Sequence, residues 1–304
     1  MKPAGLARQR TFARLRARCS ASASQLARWP VPPIRLDGGG RCTAAVDQGE
    51  RIMAHKILNL AHRGFSGLYP ENSPIAFEAA VEKTNCHGFE SDVHLTKDGR
   101  VVVMHDPNVD RTSNGTGYIK DMTYEELLQL DIGSWKGEEF AGQHIWTWLE
   151  LLDFCKQTKK VINLEIKDYE VFYEGLIPQV LREIEQMQMQ DMDFLSSFNH
   201  LTMEATKRLN PEVKTGLLYD KPINNPEFYF AQTISDNIHP RWCLLQYQPH
   251  LEKVFRELGR GINTWTCNTE KDVQDMIDLR VDSIISNYPD MAGKIIDAYK
   301  ATVE

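Results

Sequence analysis

The run Gly88-Phe89-Glu90-Ser91-Asp92-Val93-His94-Leu95-Thr96-Lys97-Asp98-Gly99-Arg100-Val101-Val102-Val103-Met104-His105-Asp106 decides the fold. Its first seven residues read as a strand. Side chains alternate faces along a strand, so Glu90, Asp92 and His94 share one face. Asp98-Gly99 is a strong two-residue hairpin signal. With those two residues as the turn, Lys97 faces Arg100 and His105 falls opposite Asp92. The returning strand then carries a histidine back beside the carboxylates.

Similar short apolar runs recur on both sides of this one. Strands are expected at 57–61, 88–94, 161–166, 192–197, 213–218, 242–247, 261–266 and 281–286. Helical patterns fall between them at 74–84, 148–158, 172–188, 200–209, 250–258 and 270–279, with a weaker one at 226–237. Strands alternating with helices imply a parallel sheet. Eight of them in about 250 residues have the size of a TIM (β/α)8 barrel, beginning near residue 55. An open doubly wound sheet is the alternative, but no GxGxxG follows the first strand. Residues 107–146 interrupt the alternation with Asn114-Gly115-Thr116-Gly117 and a short helix at 123–131. They read as a small insertion after the second strand, at the barrel end where insertions cover active sites.

Charge divides the chain. Residues 1–52 hold ten basic and three acidic residues, whereas the remainder holds 25 and 39. Residues 1–36 place Arg8, Arg10, Arg14, Arg16, Arg18, Arg28 and Arg35 among Ala and Ser with no acid, a pattern that resembles an organelle transit peptide. The competing reading starts the natural protein at Met53, just before the first strand. Either way 1–52 is an extension and 53–304 the barrel domain. The net charge of −7 argues against a general nucleic-acid partner. No apolar run is long enough to span a membrane as a helix. The six cysteines form no CxxC pair or zinc spacing and read as small buried side chains in a reducing compartment.

His62-Arg63-Gly64 directly follows the first strand, which on a barrel is the catalytic rim. Glu165 and Lys167 share a face at the end of the 161–166 strand, with Asn163 before them. Three inward carboxylates, Glu90, Asp92 and Glu165, repel one another and lose hydration, and a bound cation removes that cost. All-oxygen donors favour Mg²⁺ or Ca²⁺. Arg63 presents a planar guanidinium suited to phosphate oxygens, and Lys167 a second positive charge. His62 and His105 supply the base and acid that phosphoester cleavage needs. His94 has the right parity but stands near the barrel mouth. His55, His87, His144, His200, His239 and His250 have no constellation and read as structural or surface residues. No GxxxxGK[ST] indicates a P-loop.

These residues resemble the glycerophosphodiester phosphodiesterase family in its compact, soluble form. The resemblance runs in order through His62-Arg63-Gly64, Pro70-Glu71-Asn72-Ser73, Glu90-Ser91-Asp92, Leu95-Thr96-Lys97-Asp98-Gly99 and His105-Asp106. It continues through 111–117, 163–167, Ser197-Phe198, 263–268 and 282–290. It implies a barrel that hydrolyses glycerophosphodiesters to glycerol 3-phosphate and an alcohol, with a divalent metal on Glu90, Asp92 and Glu165. It also implies His62 and His105 as the acid/base pair, Arg63 and Lys167 on the phosphate, and Phe198 and Trp265 walling the glycerol moiety. Ser91 replaces an apolar residue but faces away from the site. Ile145-Trp146-Thr147 replaces Ile-Pro-Thr at a turn that shapes the rim. Compact members act in the cytoplasm on water-soluble diesters, and residues 1–52 offer organelle targeting as the alternative location. A lysophospholipase D-like activity would require an apolar rim. A catalytically inactive binding module would have lost one of the site residues, and all are present.

Overall fold

The computed structural model describes residues 56–191 and 193–303. The 1–52 extension and His55 lie outside them, as does the first residue of the expected 192–197 strand. In chain order the elements are β1 (Leu58–His62), α1 (Pro74–Lys83), β2 (Gly88–Leu95), β3 (Val101–Val103) and α2 (Tyr124–Leu127). Then follow α3 (Trp148–Thr158), β4 (Val161–Ile166), α4 (Leu176–Met187), β5 (Asp193–Ser197), α5 (His200–Leu209), β6 (Lys214–Tyr219) and α6 (Pro226–Ala231). The rest are β7 (Asn237–Pro240), α7 (Trp242–Tyr247), α8 (His250–Glu257), β8 (Gly261–Thr264), α9 (Glu270–Asp278), β9 (Ser283–Ser286) and α10 (Pro289–Val303).

Eight strands pair in parallel in the order β1-β9-β8-β7-β6-β5-β4-β2, and a further β1–β2 pairing closes the barrel. β3 stands outside it, antiparallel to the end of β2. No helix among the described residues is long and apolar enough to cross a membrane.

The helices form where sequence period and caps agree. In α3, Trp148, Leu151, Leu152 and Cys155 are buried at the i, i+3, i+4, i+7 spacing of one helical face. Thr147 and Glu150 form a capping box at its start, so the altered turn 145–147 still starts the helix. That face covers the outside of the sheet, where Phe89, Val93, Ile162, Leu164 and Ile166 join the same core.

The inward face is polar. Ser196 Oγ donates to Asn163 Oδ1 at 2.9 Å, Asn263 Nδ2 donates to His239 Nε2 at 2.8 Å, and Ser283 Oγ donates to Asn263 Oδ1 at 2.7 Å. A Cβ on Gly216 would lie 2.2 Å from His239 Nε2, so only glycine leaves room for that imidazole.

Two expectations need correction. Residues 242–247 are not a strand but the helix α7; the sixth barrel strand is Asn237–Pro240, at the edge of the segment expected to be helical. A six-residue apolar run such as Trp-Cys-Leu-Leu-Gln-Tyr has no period that separates strand from helix. The true strand is four residues long and ends in proline, which hides it.

The hairpin turn is also different. Thr96 N–H donates to Arg100 O at 2.9 Å and Gly99 takes φ +77°, giving a three-residue loop. Glycine reaches that left-handed region without cost. The register pairs Val93 with Val103, and Met104 N–H donates to Asp92 O at 3.0 Å, so Met104, not His105, lies opposite Asp92.

Residues 107–146 fold over β3 on a small core of Val102, Met104, Val109, Ile119, Leu127, Ile132 and Ile145. Within them the helix expected at 123–131 is only Tyr124–Leu127.

Candidate active site

Register places the site. His62 pairs with Glu90, Glu90 with Asn163, and Asp92 with Glu165. Paired residues of parallel strands share a face, so these side chains enter the barrel together, near the strands' C-terminal ends. Carboxylate oxygens of Glu90, Asp92 and Glu165 lie within 4.8 Å of one another and all three residues are buried. Asp92 Oδ1 has no hydrogen-bond partner among the described residues, although Lys167 Nζ stands 3.7 Å away.

Cations surround the acids. Lys167 Nζ donates to Glu165 Oε1 at 2.9 Å. Arg63 Nε is 3.3 Å from Asp92 Oδ2, and Arg63 Nη1 donates to Glu71 Oε1 at 2.8 Å. The arginine backbone sits in the left-handed region, φ +54°, where its N–H donates to Glu90 O at 2.8 Å. Asn72, also at φ +54°, donates to Asp92 Oδ2 at 2.9 Å and accepts from Ser91 Oγ at 2.9 Å. Left-handed non-glycine residues cost energy and persist where the surroundings hold them. Here both orient groups around one carboxylate.

Burial and then the Asp92 charge raise the Glu90 carboxyl well above the usual range. Burial raises Glu165 to about 7 against the opposing charge of Lys167. Burial would raise Asp92 as well, but Arg63, His105 and Lys167 hold it below the usual range. The site thus contains more buried carboxylate than its own cations neutralise, and an added cation would favour the ionised forms.

Both predicted histidines are held at Nδ1. His62 Nδ1 meets Asn287 Oδ1 at 2.5 Å, leaving Nε2 toward Glu90, 3.7 Å away. Burial, then Arg63, lowers His62 to about 3, so it is neutral at pH 7. His105 Nδ1 meets Asp106 Oδ1 at 2.6 Å, and its Nε2 lies 3.1 Å from Lys167 Nζ. With Nδ1 held by oxygen, each ring turns Nε2 toward the cleft, and that of His105 lies within hydrogen-bond distance of Lys167 Nζ. His105 reaches the site from the chain beyond β3 and not through the strand register. His94 is buried outside the cleft: it bonds Tyr173 Oη at 2.8 Å and the His105 carbonyl at 3.0 Å, bracing that segment.

His62, Arg63, Glu90, His105, Glu165, Lys167, Phe198 and Trp265 line one cleft of about 180 Å³. Asp92 lies beneath it, fully buried. Phe198 and Trp265 meet edge to face at 5.5 Å. The sequence reading gave no role to the residues that orient this set. Glu71 joins Arg63 to Arg111, which also clamps Asp106 through Nε at 2.7 Å. Hydrogen bonds from Arg111 and the Arg63 charge outweigh burial and bring Glu71 down to about 2. The Glu71-Asn72 pair stood in the quoted motif, but its partners lie in three other segments. Of the histidines read as structural, His239 is buried on Asn263, and His144 and His250 are exposed.

A profile of the glycerophosphoryl diester phosphodiesterase family matches residues 62–291. A glycerophosphodiester phosphodiesterase of Caldanaerobacter subterraneus is 37% identical over 235 residues, covering 77% of this chain and 96% of its own. One from Bacillus altitudinis is 35% identical over 241 residues, covering 79% and 98%. Among solved structures, an Oleispira antarctica phosphodiesterase in complex with the product sn-glycerol-3-phosphate superposes with a TM-score of 0.73 at 30% identity, covering 78% and 96%. With the profile spanning the barrel and two relatives above 30% identity over nearly their full length, the chain belongs to the glycerophosphoryl diester phosphodiesterase family.

Proposed function

We propose that this chain hydrolyses glycerophosphodiesters to glycerol 3-phosphate and an alcohol, with a divalent cation, Mg²⁺ or Ca²⁺, held by Glu90, Asp92 and Glu165. One observation carries the reading: three buried carboxylates, two cationic side chains and two histidines anchored at Nδ1 converge at one end of the barrel. The named activity of the relatives supports the substrate, and the product bound in the Oleispira structure supports the product. The donor set fits a hard ion, because every ligand atom is oxygen and Asp92 Oδ1 lacks a partner. When bound, such a cation neutralises phosphate charge.

Arg63 and Lys167 take the phosphate oxygens, while Phe198 and Trp265 wall the glycerol and limit water. The glycerol hydroxyl next to the diester attacks phosphorus as one histidine Nε2 accepts its proton. The other histidine donates a proton to the departing alcohol oxygen as its bond to phosphorus breaks. A cyclic phosphate remains. Water opens it with the histidine roles exchanged, and glycerol 3-phosphate leaves. The test is a panel of glycerophosphodiesters assayed for both products in EDTA, then with Mg²⁺ or Ca²⁺ restored. A chain inert on every diester with metal present, or fully active in EDTA, overturns the proposal.

A second substrate, a lysophospholipid, is favoured by one surface feature. Phe172, Leu201, Phe228 and Tyr247 are 82%, 80%, 71% and 79% exposed. Phe172 lies between β4 and α4, and Leu201, Phe228 and Tyr247 lie in α5, α6 and α7, which follow the successive strands β5, β6 and β7. Large apolar side chains exposed on successive βα units suit contact with a lipid aggregate. Activity on lysophosphatidylcholine that rises at the micelle threshold would support this reading, and soluble diesters alone being cleaved would remove it.

A further inference from the structure

A second pocket adjoins the cleft on the far side of His105 and Lys167. Its volume is about 310 Å³, and it shares only those two residues and Tyr169 with the first. Its remaining wall includes Asn108 and Tyr118 from the insertion and Glu170 from the connection after β4. A phosphate held by Arg63, Lys167 and the histidines would straddle the two. With glycerol against Phe198 and Trp265, the alcohol on the other ester oxygen would project into the second pocket.

We infer that this second pocket seats the leaving alcohol and selects one that carries a positively charged nitrogen; the inference rests on the phosphodiesterase reading above. The charges on its wall decide the class. Lys167 is paired with Glu165, and Asp106 is engaged by His105 and Arg111. Glu170 makes no hydrogen bond or ion pair among the described residues and is exposed at the wall. Of the two carboxylates on this wall, Asp106 and Glu170, the one without a compensating cation among the described residues therefore faces the space the alcohol would occupy.

Two aromatic rings complete the seat. Tyr118 is held by an antiparallel bridge to Asn108, and the next residue's N–H donates to Pro107 O at 3.0 Å. Tyr169 packs edge to face on Phe198 at 5.5 Å. Each ring already has an ammonium over it, Lys120 Nζ at 5.6 Å from the Tyr118 centroid and Lys167 Nζ at 5.2 Å from that of Tyr169. Lys120 is paired in turn with Asp121 at 2.8 Å. Fixed aromatic rings beside an unpaired carboxylate form a seat for a quaternary or primary ammonium. A neutral polyol gains neither attraction. The insertion and the connection after β4 would thus together set leaving-group preference while the barrel strands supply the chemistry.

The test compares kcat/KM for glycerophosphocholine and glycerophosphoglycerol with metal present, in the parent, Glu170→Gln and Tyr118→Leu. The parent should prefer the cationic substrate by about tenfold. Glu170→Gln should bring the ratio toward one, and Tyr118→Leu should lower it partway. A parent ratio near one, or an undiminished ratio in Glu170→Gln, overturns the inference and leaves the phosphodiesterase reading standing. Release of neither alcohol by the parent would defeat that reading and the inference with it.

Discussion

The two halves of the barrel interior bury polar side chains to similar depth and use them differently. On β1, β2 and β4 the inward residues are His62, Glu90, Asp92 and Glu165, with Lys167 just beyond; the acids crowd and Asp92 Oδ1 is left without a hydrogen bond. On β7, β8 and β9 they are neutral and bond one another: Ser283 to Asn263, and Asn263 to His239. Burial lowers His239 to about 3, so it too is neutral, and its Nδ1 has no hydrogen-bond partner among the described residues. Burial of polar groups therefore does not itself mark a site. Charge left short of partners marks it, because such charge is costly unless a ligand completes it.

The largest test of this contrast removes the charge. Glu90→Ala, Asp92→Ala and Glu165→Ala should each lower kcat/KM by on the order of 10³ or more, since each would remove an oxygen from the proposed cation and leave a neighbouring charge unbalanced. Calorimetric titration with Mg²⁺ or Ca²⁺ checks the cause: metal binding by the triple variant equal to the parent's would break the assignment. Next in size, His62→Ala and His105→Ala should cost roughly 10²–10⁴ in kcat with metal affinity retained. Near-normal turnover in either would show that its Nε2 moves no proton.

A pH experiment sharpens the same point. The metal-free Glu165 carboxyl titrates near 7 instead of its ordinary 4.5, and Glu90 is raised as well. A raised carboxyl stabilises the metal-free fold below about 4.5 and loses that contribution as pH rises through about 7. His62, lowered to about 3, acts oppositely: its neutral form gives stability that is gained as pH rises through 6.5. Subtracting Tm in EDTA from Tm with metal largely cancels the histidines that do not touch the ion. That difference should grow between pH 5 and 8, and a flat difference would mean that the acids do not release protons to bind metal. The smallest effect belongs to the neutral half. Asn263→Ala leaves His239 and Ser283 unpaired and should cost about 1–3 kcal/mol of stability in denaturant titration, with kcat little changed. A collapse of kcat without loss of stability would erase the distinction between the halves.

Some of this architecture was readable from local patterns. Glu90, Asp92, Glu165 and Lys167 were placed by parity alone, because facing alternates every residue along a strand whatever its neighbours. Patterns failed where two answers were locally equal. Trp242–Tyr247 is apolar enough for a buried strand and forms a helix, while Asn237–Pro240 is too short to announce itself. A three-residue loop at Gly99 shifted the hairpin register by one residue, and such a slip exchanges the two faces. His105 still enters the cleft, because β3 ends at Val103 and His94, Asp106 and Lys167 hold the segment beyond it.

By itself, the sequence determined the alternating elements and the set of side chains at the strand ends, since both depend on short-range period and spacing. Tertiary structure decided which side chains hold them. Asn287 meets His62 across 225 residues only because β9 closes on β1. Arg111 joins Glu71 to Asp106 only because the insertion folds back over the mouth. Those partners follow from barrel closure and loop packing, which bring together residues whose separation along the chain carries no period to read.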